Sequence, residues 1–302
     1  MKIKSVVKFT LMFGLMSLVI CFCLMSLLLV NSTAIKSSAK QSNVAPFSFS
    51  NQHHRLALIV PFRDRFTELL QFVPHVSKFL HNQNLSFTIN VINQNDSLRF
   101  NRASLINAGF TLVKENCDYI AMHDVDLLPL NPNLNYGYPE SGPFHVTSPE
   151  LHPKYHYETF VGGILLMTTE HFQMVNGLSN RYWGWGLEDD EFYLRLKEAK
   201  LQISRPTNIE TGIGNTFLHI HNPTIRKRDY AKLFNQKEAT RKRDRQTGLD
   251  NVEFELTSLS QITIDNFPVN IYSVKLICDH KSTPWCDFSL VNKNKTKSPR
   301  PK

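Results

Sequence analysis

Two acids, Asp124 and Asp126, stand two residues apart where the apolar run Tyr119–Met122 ends and before Pro129 closes the segment. Side chains at i and i+2 of an extended chain point the same way. Two carboxylates so placed can hold a hard divalent cation whose remaining positions are filled by diphosphate oxygens and one or two further protein ligands; the plain alternative is an acidic turn capping a strand. His219 and His221 repeat the i, i+2 spacing in FLHIHN, 217–222, and two imidazoles on one face of a strand can complete a metal site with a carboxylate. Glu188, Asp189 and Asp190 follow Trp185 and Gly186 in RYWGWGLEDDEF. An acid at the tip of a helix near a metal is a candidate general base, and a glycine-flanked Trp is a surface for a sugar ring. The plain reading of that stretch is helix N-terminal charge beside a core Trp. Arg63 and Arg65 in PFRDR, 61–65, could meet phosphates or a base edge, or simply open a helix.

Elements that could carry these groups alternate along the chain. LALIVPF, 56–62, is a β-branched apolar strand, followed by a charged turn and a helix with apolar positions at Leu69, Leu70, Val73, Val76 and Leu80. Leu85–Ile92 reads as a second strand, Asn101–Val113 as a helix and Tyr119–Met122 as a third strand. Asn131–Tyr157, with five prolines, reads as loop; Phe160–Thr168 returns as a strand whose Gly162–Gly163 pair lets something approach the backbone closely. Glu188–Leu196 is a helix with acids in its first turn. Alternation of this kind predicts an α/β fold, a mostly parallel mixed sheet flanked by helices, in which the turns after the first and third strands share one edge.

The chain is 302 residues with 42% apolar and 20% charged residues, which excludes a disordered protein and allows a sizeable core in one domain or two closely packed ones. Its net charge of +8 would suit nucleic acid, membrane or an anionic substrate, but much of it sits in Lys2, Lys4, Lys8 and the runs RKR at 226–228 and RKRDR at 241–245, where a solvated basic face is the plain reading. Phe9–Val30 carries no charge over a length that spans the roughly 30 Å hydrocarbon core. With the lysines ahead of it, the pattern predicts a cytosolic tail at 1–8, a signal-anchor at 9–30, a stem at 31–54, a lumenal domain at 55–290 and a flexible tail at 291–302. In a lumenal chain Asn84, Asn95 and Asn294 are glycosylation candidates, Asn31 lies too near the membrane and Pro223 spoils Asn222. Cys278 and Cys286, eight apart around Pro284 and Trp285, are expected to bridge and leave Cys117 a buried thiol, or else both are reduced and merely buried.

PFRDR, INQ with FNRASLINAGF (100–110), DVDLLP, FVGGILLMT, WGWGLEDDEF and HIHN together resemble the β1,4-galactosyltransferase family of Golgi type II membrane enzymes; DVD is one form of the DxD signature of glycosyltransferases. The H-x-H form is similar to the branch that acts on xylosylated protein rather than on GlcNAc. The resemblance implies a glycosyltransferase-A type nucleotide-sugar-binding fold, Mn²⁺ held by Asp126, His219 and His221, and UDP-galactose held by Pro61, Phe62, Arg63, Asp64, Arg65, Phe100, Asn101, Arg102, Val125 and Asp126, with Trp185 and His221 also on the donor. Leu187, Glu188, Asp189 and Asp190 would meet the acceptor, Asp189 as the base, and Tyr155 and Tyr157 would shape a xylose pocket. The implied partners are UDP-galactose, a xylosylated proteoglycan core protein and the Golgi membrane, with no nucleic acid; transfer to GlcNAc termini is the alternative.

Overall fold

The protein is described here by a computed structural model, in which residues 54–290 are described. The expected anchor at 9–30, all of the expected stem except His54, the expected tail at 291–302 and Asn294 lie outside them. Among the described residues no helix is long and apolar enough to cross a membrane.

Strand β1 (Arg55–Phe62) lies at the centre, paired in parallel with β2 (Ser86–Gln94) on one side and β3 (Tyr119–His123) on the other. The crossover from β1 to β2 is helix α1 (Phe66–His81), and α2 (Arg102–Val113) joins β2 to β3. The chain therefore turns back at β1 and opens a crevice at the carboxyl ends of β1 and β3, where open α/β sheets place ligands. Pro61–Arg65 and Asp124–Asp126 both emerge there. Alternation along β1 explains why the sheet is covered on both faces: Leu56, Leu58 and Val60 join one core with Leu69, Phe72, Val73, Val76 and Leu80 of α1, whereas Ala57 and Ile59 join the other with Leu105, Ile106 and Phe110 of α2. Each large side chain so buried contributes about 1.5–3 kcal/mol.

The parallel centre is edged by antiparallel strands. Next come β4 (Leu127–Pro129), β5 (Phe144–His145) and β6 (Ile164–Thr168); β6 runs antiparallel to β3 and carries β5 on its outer side. Later elements are α3 (Thr169–Met174), α4 (Glu188–Glu198), α5 (Gly212–Thr216), β7 (Phe217–His219), α6 (Gln236–Ala239), β8 (Phe254–Ile264) and β9 (Phe267–Leu276). The sheet order is β5-β6-β3-β1-β2-β9-β8, with β9 parallel to β2. Sequence reasoning placed no element at β8 and β9. The signal was present: two alternating runs flank Asp265 and Asn266, whose φ of 48° and 67° are the left-handed pair that a tight hairpin turn requires.

Pro129 does not break the chain as expected. Leu127–Pro129 is a strand that pairs with β7 in a separate two-stranded sheet, with Leu127 opposite His219. The disulfide Cys278–Cys286 is present and Cys117 is a free, buried thiol. Asn84 and Asn95 are exposed.

Candidate active site

The pairing of β4 with β7 brings together groups that are far apart in sequence. The register sets Asp126 beside Ile220, whose N–H donates to the Asp126 carbonyl at 2.9 Å. Asp126 Oδ2 then lies 3.2 Å from His221 Nδ1 and 3.9 Å from His219 Nε2, and the two imidazoles stack within 12° of parallel. Burial lowers the proton affinity of both imidazoles against the pull of Asp126, leaving them neutral with lone pairs to offer at pH 7. One carboxylate and two neutral imidazoles within reach of one point fit a divalent transition metal such as Mn²⁺. Cys278, His280 and Cys286 lie closer together, but both sulfurs are consumed by the disulfide.

The acid pair itself does not act as a pair. Val125 and Asp126 form a turn directly after β3, so the two carboxylates diverge. Asp124 accepts from Arg102 Nε at 2.8 Å, and Arg102 Nη1 reaches on to Asp189 Oδ1 at 3.5 Å. Arg102, expected on the donor, is thus the bridge between the first acid and the candidate base. Its guanidinium is held charged by Asp124, Asp189 and Glu188 despite its burial.

Asp189 sits in the first turn of α4 behind Leu187, a non-glycine residue at φ 76°. Burial, then the neighbouring Glu188, raises its pKa well above the ordinary Asp range, and Arg102 offsets this only in part. That brings a carboxylate nearer the pH at which a general base works best. The close approach foreseen for the glycine pair is made by this group: a Cβ on Gly162 would collide with Asp189 Oδ2 and with the Phe160 ring. Glu188 is likewise raised by burial.

Aromatic rings surround the base. Tyr155 and Tyr157 pack on Phe160 at ring-centroid distances of 5.2 and 5.5 Å, and Tyr155 faces Trp185 at 6.4 Å. Burial, then Asp190 and Asp189, keeps the Tyr157 phenol protonated. Trp185 stands between two left-handed glycines, 184 and 186, on a loop tied to Phe100 by the Gly184 N–H donating to its carbonyl at 2.8 Å. These rings pack on one another, whereas a hollow of about 250 Å³ lined by Asn135, Tyr138, Glu140 and Phe144 contains none of them.

Two side chains read as donor contacts are committed elsewhere. Arg63 donates to the carbonyls of Gln94, Leu98 and Asp96 and to the Asp96 carboxylate, which fixes the loop after β2. Asn101 is 0% exposed: it caps α2 through the Ser104 N–H at 2.9 Å and donates to the Asn180 carbonyl. The remaining donor-side residues stay at the crevice, with Pro61 and Val125 buried, Phe62 and Phe100 half-buried, Asp64 exposed in a left-handed conformation at φ 54°, and Arg65 at 3.3 Å from His221 Nδ1.

Three of the seven cations in the basic runs are struts to carboxylates on other elements. Arg226 makes a two-pronged contact to Glu68 at 2.7 and 2.9 Å. Arg243 and Arg245 bind Glu198, and Arg243 also meets Glu191 in its buried pair with Arg195, which straps α4 into place. Sequence reasoning missed the role of Arg228, whose Nη1 donates to the Tyr155 hydroxyl at 2.6 Å while its guanidinium lies 5.0 Å over Trp185. It also missed His152, whose Nδ1 accepts the N–H of Lys154 and of Tyr155 at 2.9 Å each and so sets the tyrosine's position. Burial lowers the His152 pKa to about 3.

A profile described as the N-terminal region of glycosyl transferase group 7 matches residues 25–138, and one described as the N-terminal domain of galactosyltransferase matches 142–220. Beta-1,4-galactosyltransferase 7 of Drosophila melanogaster is 58% identical over 255 residues, 84% of this chain and 79% of that one. The chain belongs to the β1,4-galactosyltransferase family. Xylosylprotein 4-beta-galactosyltransferase of Caenorhabditis elegans is 49% identical over 277 residues, 90% of this chain and 95% of that one. A mutant of the Drosophila beta1,4-galactosyltransferase 7, solved in complex with manganese, UDP-Gal and xylobiose, is similar in structure with a TM-score of 0.77 and 60% identity, covering 78% of this chain and 99% of that one. The mixed α/β sheet with its parallel centre is thus of the glycosyltransferase-A type that this galactosyltransferase family uses.

Proposed function

We propose that this chain transfers galactose from UDP-galactose, with inversion and dependent on Mn²⁺, to the 4-hydroxyl of xylose O-linked to serine of proteoglycan core proteins, and so builds the glycosaminoglycan linker. The observation that carries the reading is the 60%-identical structure holding manganese, UDP-Gal and xylobiose, on a fold that in this chain converges Asp126, His219 and His221 and links Asp189 through Arg102 to Asp124.

Asp126, His219 and His221 hold the cation, and Asp64, Arg65, Phe62, Phe100 and the backbone of Pro61 and Val125 line the donor side. When bound, Mn²⁺ supplies positive charge to the departing diphosphate. Tyr155, Tyr157 and Trp185 enclose the xylose ring, with Leu187, Glu188 and Asp190 at its rim. Asp189 takes the proton from the xylose 4-hydroxyl as that oxygen attacks the anomeric carbon of galactose from the side opposite UDP, which turns an α-linked donor into a β-linked product. Arg102 bonds to both Asp189 and Asp124 and so fixes the base in place. The missing substituent supports xylose: its ring carries no hydroxymethyl group at C5, and a pocket closed by two tyrosines and a tryptophan excludes sugars that carry one by clash.

The same reading makes the protein a single-pass type II protein of the Golgi membrane, anchored by 9–30 with its catalytic domain lumenal. The uncharged run behind three lysines supports this, and so does the disulfide, which suits an oxidising compartment. UDP release from UDP-galactose, measured with a xyloside or a GlcNAc acceptor and with Mn²⁺ added or chelated, tests the activity. Equal turnover on GlcNAc and xylose would refute the xylose assignment. Protease protection in sealed microsomes tests the topology, and digestion of the catalytic domain from outside would refute it.

A further inference from the structure

The protonation of His152 follows from its partners. Its Nδ1 accepts from the N–H of Lys154 and of Tyr155 at 2.9 Å each, so that nitrogen presents a lone pair and carries no proton. The ring is therefore neutral, and its one N–H stands on Nε2. Among the described residues nothing accepts from Nε2. The residue is only 4% exposed, yet this nitrogen is not sealed in the core as the unpartnered His145 Nδ1 and His171 Nδ1 are. A donor held so far from bulk water is satisfied by whatever fills the opening it keeps. The ring's neighbours place that opening. Its centroid is 4.9 Å from Tyr155 and 5.0 Å from Phe160 on one side, and 6.5 Å from the metal-ligand candidate His219 on the other. The imidazole thus stands in the wall between the aromatic pocket and the metal ligands.

The chemistry of this donor narrows what it meets. A neutral N–H suits a neutral oxygen, whereas a diphosphate oxygen is better met by a metal ion or a charged donor. The donor is also rigid. Two backbone N–H groups and the Phe160 ring fix the imidazole, and the main-chain N–H of His152 donates to the Ser148 carbonyl at 2.8 Å. A fixed polar group set among aromatic rings is how a pocket reads the position of a hydroxyl. The xylose 4-hydroxyl gives its proton to Asp189 as it attacks, and a donor on that oxygen would hold back the electron pair that forms the bond. The hydroxyls at C2 and C3 are free to accept. We infer that His152 Nε2–H donates to a non-reacting ring hydroxyl of the acceptor sugar and so selects acceptors that carry it. This rests on the xylose assignment proposed above.

Two variants separate the two nitrogens. His152→Asn puts an amide oxygen where Nδ1 stands, so it keeps the acceptor for Lys154 and Tyr155 and removes the donor. His152→Gln puts an amide N–H near the Nε2 position and removes that acceptor. Galactose transfer by the full-length, detergent-solubilised protein is measured on a xyloside and on its 2-deoxy and 3-deoxy analogues, with UDP binding followed by calorimetry. Wild type should disfavour one deoxy analogue about 10-fold in kcat/KM, as expected for one lost hydrogen bond in a buried site. His152→Asn should lose about the same factor on the parent xyloside, chiefly in KM, and almost nothing on that analogue, with UDP binding unchanged. His152→Gln should keep the wild-type preference even if all three rates fall together, since a displaced Tyr155 turn lowers them alike. The inference is overturned if His152→Asn keeps the wild-type preference, if wild type treats the three acceptors alike, or if His152→Asn weakens UDP, which would assign Nε2 to the donor. Should the Asn variant not fold, the Gln variant decides, and a preference lost there overturns the inference. Wild type active on GlcNAc and not on the xyloside would instead remove the xylose assignment, and the inference with it.

Discussion

Replacing Asp189 by Asn should move activity and stability in opposite directions. Burial and Glu188 outweigh Arg102 at this carboxylate, so its folded pKa is raised above the ordinary Asp value of 3.8. A raised acid binds its proton more tightly folded than unfolded. Stability therefore falls as pH rises from the unfolded value through the folded one, and the cost is complete above it. Asparagine has no charge to desolvate and no repulsion from Glu188, while its carbonyl can still accept from Arg102. Relief of this kind is worth about 0.5–2 kcal/mol, and each 1 kcal/mol moves Tm by about 2–4 °C in a domain of this size. Turnover should fall about 10²- to 10⁴-fold, the usual contribution of a general base, with UDP binding little changed because Asp189 faces the acceptor. Thermal unfolding from pH 5 to 8, together with UDP release on a xyloside, gives both readouts; the Tm gain should widen with pH. Turnover within tenfold of wild type, or a variant less stable than wild type at every pH, would refute the reasoning.

His219→Ala and His221→Ala should each raise the Mn²⁺ concentration needed for half-maximal activity by about 10-fold or more; an unchanged metal titration in both would remove them from the metal site. Gly162→Ala should abolish transfer while sparing UDP binding, because the added methyl collides with Asp189 and Phe160; normal kcat in that variant would show that the base tolerates displacement. Glu191→Ala leaves Arg195 buried without its carboxylate, with both side chains only 2% exposed, and should cost about 3–5 kcal/mol in chemical denaturation. Tyr155→Ala and Tyr157→Ala should lower xyloside turnover and admit a glucoside weakly, and a glucoside no better than with wild type would place the steric limit elsewhere.

What could be read from the residues was what depends on short spacing. The H-x-H pair, the acids opening α4 and the glycine pair all keep their local geometry, because a strand or helix turn sets it within a few residues. What could not be read depends on partners distant in the chain. Asp124 and Asp126 would share a face in a continuing strand, yet the turn at Val125 sends one to Arg102 and the other to the imidazoles, and that choice is fixed by β4 pairing with β7 about ninety residues later. Arg63 and Asn101 fall within family motifs and still face inward, because a motif can be kept to build the loop that presents a ligand as well as to touch it. The basic runs show the converse. Of the charges at 226–228 and 241–245, Arg226, Arg243 and Arg245 each find a carboxylate brought by another element, while Arg228 finds two phenols and an indole ring. Charge patterning alone cannot tell a strut to a carboxylate from a support of the aromatic pocket, since both are arginines in one run; only the identity of the partner, set by tertiary packing, separates them.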